Sequence, residues 1–350
     1  MTADRLVFAR RPAPPPRQRL LDRVLVRPSL PAVLGLVVVV LVFGLRVPEL
    51  LSVGGLAGVL DAAALLGIGG VAVGLLLVGG HFDLSIGTLA VSSAVLTGIL
   101  AGPAEWGVWP ALATSLAAVL VVGLVNGWLV VRTGLPSFLV TLATALVLQG
   151  VTVAGMPLVA GAPRVSGLDE APGWASASAL FGSTAEVGGG VFSVALLWWV
   201  ALTAGAGWLL WHTRFGNAVL SMGGSRTAAR ELGVPVPRTT LVLYALTAAA
   251  AWLLGTLTLV PAASVAATPS LATAIDFVVV AVIGGCLLTG GYGSMAGAAA
   301  GALLYAVARQ GVELSGWDPR WSQALLGVLL LVALLVSGVV RGRLRAAPRS

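Results

Sequence analysis

The chain has 350 residues and a formal net charge of +7, and 58% of it is hydrophobic against 9% charged. A soluble domain carries about 25% charged residues, a disordered chain is poor in apolar ones, collagen needs a strict glycine period and a disulfide scaffold needs many cysteines, so all four classes are excluded. What remains is an integral membrane protein of the all-α class.

In chain order, residues 1–29 form a basic, proline-rich tail carrying Arg5, Arg10, Arg11, Arg17, Arg19, Arg23 and Arg27. The first apolar run begins near Leu30 with no small-residue cleavage site after it, so it is expected to be an uncleaved span. Apolar runs separated by Gly, Pro and charge place about ten spans near 30–47, 55–79, 85–102, 108–131, 137–158, 191–212, 240–262, 274–289, 292–311 and 321–340. The transmembrane domain is thus 30–340, followed by a basic tail at 341–350 with Arg341, Arg343, Arg345 and Arg349. An even number of spans puts both termini on one side. Arginine decides which: Arg132 and the group Arg214, Arg226, Arg230 and Arg238 fall in loops on the side of the tails, which is therefore cytoplasmic. Arg46, Arg164, Arg309 and Arg320 fall opposite, diluted by acidic residues such as Glu49, Glu105, Asp169 and Glu313. The tails are expected near anionic lipid headgroups, and the positive charge does not point to nucleic acid.

The spans at 85–102 and 274–289 are short for a full crossing and are expected to be short or broken helices. Gly79-Gly80 and Gly290-Gly291 each open a turn between spans, which suggests a parallel internal repeat. Glycines four apart, Gly293, Gly297 and Gly301 foremost, let helices approach closely.

All 20 basic residues are arginine, so no Gly-Lys-Ser/Thr phosphate loop can exist and this chain does not hydrolyse ATP that way. With Cys286, His81 and His212 as the only Cys and His, neither a disulfide nor a metal cluster is expected, and neither a catalytic set nor a cofactor site stands out.

Asp83, in the inner turn, can cap the next helix by accepting from backbone N–H groups near Ser85 and Ile86, or act with Ser85 and Gly87 at a gate. Asp61 lies well inside a span and Asp276 near the start of another, and an intramembrane carboxylate is a functional candidate. Other deep polar residues are mostly Ser, Thr, Asn126 and Gln149, which suits an uncharged hydroxylated solute at least as well as an ion relay. The inner loop 213–239 holds a short helix: Ser225 can cap it, Ala228, Ala229 and Leu232 are expected on a common side, and Gly233 then Pro235 stop it. A small charged helix held outside the membrane is either a solvated connector or a docking element.

Several of these stretches resemble one family. Asp83-Leu84-Ser85-Ile86-Gly87 is similar to an Asp-Leu-Ser-Val-Gly turn, and Pro136-Ser137-Phe138 with Thr141-Leu142-Ala143-Thr144 to a Pro-x-Phe-x-x-Thr-Leu-x-Thr helix start. Phe215 to Val234 resembles a cytoplasmic coupling segment, and Ile283-Gly284-Gly285 with Gly290-Gly291-Tyr292-Gly293-Ser294 a paired-glycine signature. The family is that of the permease subunits of bacterial ATP-binding-cassette (ABC) importers for ribose, xylose and related sugars, akin to branched-chain amino acid permeases. The likeness covers about residues 50 to 340 in order. Ser225 stands where the family commonly has Asn, and His81 at a variable position.

The resemblance implies a non-catalytic transport subunit of the bacterial inner membrane, driven by separate ATP-binding subunits, paired with a second permease copy and served by a periplasmic or extracellular binding protein. It further implies that Ser225, Ala228, Ala229, Glu231, Leu232 and Gly233 contact the ATPase. Asp61, Phe138, Thr141 and Thr144 become candidates for the path. A monosaccharide is the first-ranked cargo; branched-chain amino acids, nucleosides or a signalling furanoside stay open. Two other classes also stay open: an ion-coupled transporter working through Asp61, and a non-transporting scaffold.

Overall fold

The computed structural model describes residues 29–346, with side chains through residue 336. Apart from Ser29, the predicted basic tail lies outside the described residues, as do residues 347–350. The helices in chain order are α1 (Leu30–Arg46), α2 (Val53–Val78), α3 (Ile86–Ala101), α4 (Val108–Thr133), α5 (Ser137–Ala160), α6 (Trp174–Phe181), α7 (Ala195–His212), α8 (Arg214–Gly224), α9 (Arg226–Glu231), α10 (Val236–Ala262), α11 (Leu271–Ile283), α12 (Met295–Leu314) and α13 (Trp321–Ala346). Each predicted apolar segment falls on one of them, and five, α2, α4, α5, α7 and α10, are long and apolar enough to cross a membrane.

Four boundaries depart from expectation: residues 191–193, expected to open a span, are part of a strand and the helix starts only at Ala195, and three others follow. Residues 284–289, expected in a span, form a turn instead, because Gly285 takes φ 90° and the Leu287 N–H bonds across to Tyr292 O. Gly293 sits in that turn, 2.8 Å from Cys286 Sγ when given a Cβ, so it is not part of the α12 stripe formed by Gly297 and Gly301. The last helix runs on through Ala346 where a tail was expected, since the Arg, Leu and Ala there are good helix formers.

Two short ribbons escaped the periodicity reading. Strands β2 (Thr184–Val187) and β3 (Gly190–Ser193) form a hairpin whose connecting Gly188 and Gly189 have φ 57° and 81°, the positive pair that a two-residue turn of matching twist requires. Strand β1 (Arg164–Ser166) pairs antiparallel with β4 (Ser264–Ala266), tying the exit of α5 to the exit of α10.

The bundle is two four-helix units, α2–α5 and α10–α13, each ordered long, short, long, long. Helix α4 packs on α10 as α12 packs on α2, and α3 packs on α10 as α11 packs on α2. The end of α2 meets the beginning of α10, where a Cβ at Gly79 would stand 2.6 Å from Leu243, so the two long helices run antiparallel. The repeat is therefore inverted, which corrects the parallel one expected: five apolar helices, α2–α5 and α7, lie between the two starts, and an odd number reverses direction. Gly79-Gly80 and Gly290-Gly291 are likewise not counterparts, since the first ends a long helix and the second comes after a short one.

The short helices are confirmed as short: α3 has 16 residues and α11 has 13. At 1.5 Å per residue neither spans about 30 Å of hydrocarbon. Both lie inside the bundle, and their starts meet, a Cβ on Gly87 falling 3.0 Å from the Ala274 nitrogen.

Glycines at the helix crossings set the packing distance. Gly123 and Gly127 face Tyr244, Ala248 and Leu241 of α10, and Gly297 and Gly301 face the end of α11 at Gly284 and Val280. A Cβ at Gly301 would run into Val280 O and stand 2.9 Å from Gly284 N, whereas one at Gly150 meets nothing within 4 Å. Gly301→Ala should therefore destabilise by about 1–3 kcal/mol. Gly150→Ala should not destabilise at all, since it gains up to about 1 kcal/mol of helix propensity. Thermal unfolding of the detergent-solubilised variants measures both, and an unchanged Gly301→Ala midpoint would contradict the packing described.

Candidate functional site

The chain leaves α2 through Gly79 and Gly80 (φ 78°), and the His81 N–H returns to Leu76 O to close the helix end. The next residues run without regular structure through the interior, so their backbone groups need partners from side chains. Helix α5 supplies two: Ser137 Oγ accepts from the Phe82 N–H at 2.9 Å and Thr141 Oγ1 from the Leu84 N–H at 3.0 Å. Helix α10 supplies a third, the Tyr244 hydroxyl donating to Phe82 O at 2.9 Å.

Asp83 is fully buried, and its Oδ1 accepts from the Ser85 N–H at 2.7 Å and the Ser85 hydroxyl at 2.6 Å; it therefore holds Ser85, the N-cap of α3, and is not itself the cap that was expected. Ser85 Oγ accepts from Asn126 Nδ2 at 3.2 Å, and Asn126 Oδ1 accepts from the Thr144 hydroxyl at 2.6 Å. One polar chain thus joins the turn, α4 and α5. Asp83 Oδ2 has no partner among the described residues, and burial raises the carboxyl above its ordinary range, against the lowering effect of its bonds to Ser85.

A second cluster sits on the other side of the turn. His81 is 1% exposed, its ring set edge-on to Tyr244 with centroids 5.8 Å apart. Thr240 Oγ1 lies 3.2 Å from His81 Nε2 and donates to Met222 Sδ at 3.5 Å, which leaves the hydroxyl free to accept from an Nε2–H. Arg226 Nη2 stands 3.2 Å from Nδ1 and 3.3 Å from Nε2 while donating to Gly80 O at 3.0 Å. Burial first, and the Arg226 guanidinium second, push the His81 imidazole down to about 3, so it is neutral here.

Arg226 is the first residue of α9. Thr213 caps α8, accepting from the Gly216 N–H at 3.1 Å, and α8 buries Gly216, Val219 and Met222. Ser225 then caps α9 as predicted, accepting from the Ala228 N–H at 3.4 Å, and Gly233 (φ 79°) ends it with the Val234 N–H bonded to Ala229 O. The side assignment needs correcting: Ala229 is buried, while Ala228, Glu231 and Leu232 are exposed, Leu232 by 80%. A helix places residues i and i+4 together, so Ala228 and Leu232 share the outer face and Ala229 turns inward.

Three glycine pairs meet at this point. The Gly291 N–H donates to Val78 O at 2.8 Å, a Cβ on Gly290 would lie 2.8 Å from Gly80 Cα and from Gly223 O, and one on Gly291 would lie 2.8 Å from Gly224 Cα. No side chain fits between these backbones. The root of α9 is thereby packed against the turns of both repeat units.

Of the predicted site residues, Asp83, Ser85, Thr141 and Thr144 come together. Asp61 and Phe138 are exposed on α2 and α5, away from the polar chain, and Asp276 accepts from the Tyr305 hydroxyl at 2.8 Å. Sequence reasoning missed Ser137, Thr240, Tyr244 and the Arg226–His81 contact, since partners some 145 residues apart leave no spacing signal. Among the described residues no His, Cys, Asp and Glu cluster could hold a metal ion.

The displaced His81 value sets a pH dependence. Between about 3 and 6.5 the unfolded chain binds a proton that the folded one refuses, so stability is complete above 6.5 and falls as pH drops through that window. The slope contributed by this group reaches at most about 1.4 kcal/mol per pH unit. His81→Gln keeps an acceptor for Arg226 and removes the titration, so its melting temperature should fall less than the parent's between pH 7 and pH 5. Equal falls would contradict a buried neutral imidazole.

Residues 55–334 match the family described as branched-chain amino acid transport system / permease component. The chain is 31% identical to the fructose import permease protein FrcC of Rhizobium meliloti, over 81% of this chain and 77% of that one. It is 26% identical to the ribose import permease protein RbsC of Escherichia coli K12 (87% and 92%) and 27% identical to the autoinducer 2 import system permease protein LsrD of Salmonella paratyphi B (85% and 87%). No solved structure matches. The chain therefore belongs to this family of transport-system permease components, on the side of its ribose-type ABC importer permeases.

Proposed function

We propose that the chain is the membrane subunit of an ATP-driven importer of a monosaccharide in the bacterial inner membrane. It would cross the membrane ten times with both termini inside, pair with a second permease copy, take solute from a periplasmic or extracellular binding protein and be driven by separate ATP-binding subunits. The observation that carries this reading is α9: its outer face offers Ala228, Glu231 and Leu232 to solvent while its root is wedged between both repeat units. Glu231 and Gly233 complete the surface an ATPase would meet, with Ser225 holding the helix start.

The cargo class rests on likeness: the names of relatives that match over most of their length specify fructose, ribose and autoinducer 2. Apart from Asp83 and His81, the buried polar side chains are hydroxyls and one amide, which agrees with a neutral hydroxylated solute. The ion-coupled alternative is disfavoured because Asp61 is exposed and stands apart from the polar chain, whereas an ion relay needs successive polar partners.

Reconstituted with its ATPase and binding protein, the chain should accumulate sugar only with ATP and be indifferent to a protonophore. Ala228→Arg and Leu232→Asp should each lower transport at least about tenfold, the loss of about 1.4 kcal/mol of docking free energy, while membrane insertion persists. Gly233→Trp should do the same by straining the φ 79° residue. Transport at the parental rate in all three would remove α9 from the mechanism, and uptake without ATP would sink the importer assignment.

A further inference from the structure

Helix α9 has six residues, too few to hold a shape alone, and touches the turn after α2 through one long side chain. We propose that Arg226 is a positioning residue that carries movement of α9 into the Gly79–Ser85 turn, with His81 as its receiver. The inference rests on the importer reading and adds to it the route by which work enters the bundle.

Arg226 spans from α9 to the Gly80 carbonyl and the His81 ring, so the guanidinium holds a backbone group and a side chain of the same turn together. One nitrogen, Nη2, makes both contacts, having two hydrogens to share between the Gly80 carbonyl and the ring. His81 distributes the pull. Its ring packs against Tyr244, whose hydroxyl holds Phe82 O, and its Nε2 meets Thr240, so displacement of Arg226 acts on the turn and on the start of α10 together. Further along the turn Asp83 holds Ser85, and from there the Ser85–Asn126–Thr144 chain reaches α4 and α5. The glycine junction beside Arg226 contains no side chain that could deform and absorb the motion.

The other free-standing features offer less. The groove between α7 and α12, with Trp199, Trp208 and Met295, and the one between α4 and α5, with Leu135, Leu139 and Val147, are apolar and show nothing of what covers them.

The experiment needs no knowledge of the cargo. The chain carries one cysteine, Cys286, which is buried, so Cys286→Ala with Leu84→Cys places a single reporter thiol in the turn. Labelling by a maleimide is timed in the full assembly with its ATPase, nucleotide-free and trapped with ATP and vanadate, and phosphate release is recorded on the same samples. In the parent the two labelling rates should differ about 5-fold or more, the lower end of ordinary site-to-site coupling. With Arg226→Gln or His81→Ala, hydrolysis should continue and that difference should vanish, and the double variant should be no worse than either single. Arg226→Lys should retain part of it.

Variants that hydrolyse ATP and keep the full labelling difference would overturn the proposal, as would a parent that hydrolyses ATP with no labelling difference. A co-purified parent assembly without ATP hydrolysis would sink the importer reading itself, a result read before any variant is made. Should Arg226→Gln lower the melting temperature too far to assemble, His81→Ala decides alone, because it leaves the α9 surface intact.

Discussion

In an apolar surrounding, every backbone N–H and C=O outside a regular helix must find its partner within the protein. Helices α3 and α11 are too short to cross alone, so the non-helical chain leading into each has to complete the crossing. Much of the chemistry at the candidate site answers that demand. Ser137, Thr141 and Tyr244 take up groups of residues 82–84, Asp83 holds Ser85 at the start of α3, and Asn126 and Thr144 complete the network around Ser85. Each satisfied group fixes the turn to another helix. A segment expected to be the softest at this end of the bundle is thereby bound to α4, α5 and α10.

The second constraint is the lack of a hydrophobic force between helices in lipid, which leaves backbone proximity as the main source of packing energy. Glycine provides it at the crossings of α4 with α10 and of α12 with α11. The same residue makes the junction of Gly80, Gly223 and Gly290-Gly291 possible, where three turns from distant parts of the sequence touch backbone to backbone. One kind of contact thus packs the helices of each unit and joins both units to the α8–α9 segment. An inverted repeat presents two such turns at one end, one from each unit, and the α8–α9 segment is inserted where it reaches both.

How much the sequence disclosed depends on where the information is stored. Apolar run length and Gly or Pro punctuation are local properties, so α1 to α5 and α10 begin and end within a few residues of expectation, and the cap at Ser225 and the Asp83–Ser85 bond were legible from the residue and its next few neighbours. The direction of the repeat was not, because two glycine pairs matched by sequence turned out to be partners in space, not equivalents. Ala229 was placed on the wrong side since a six-residue helix has too few turns for its apolar period to reveal a face. The β2–β3 hairpin did carry a signal, the Val187-Gly188-Gly189-Gly190 step, masked by a chain with 46 glycines. The Arg226–His81 contact carried none, since pairing across the fold is written in no local pattern.

The shape of α9 also bears on what a partner would meet there. An isolated helix shorter than about 12 residues is marginal in water, so this six-residue one exists because the body imposes it: Ser225 caps its start, Gly233 and Val234 close its end, Ala229 is buried beneath it and Arg226 pins its first turn. Its outer face is therefore presented at a fixed position relative to the glycine junction. A partner that moves that face moves the junction, because bending the short helix instead would break the cap, the buried contact and the Arg226 bonds together. Stiffness here comes from the attachments and not from the helix, as the coupling role proposed for so small an element requires.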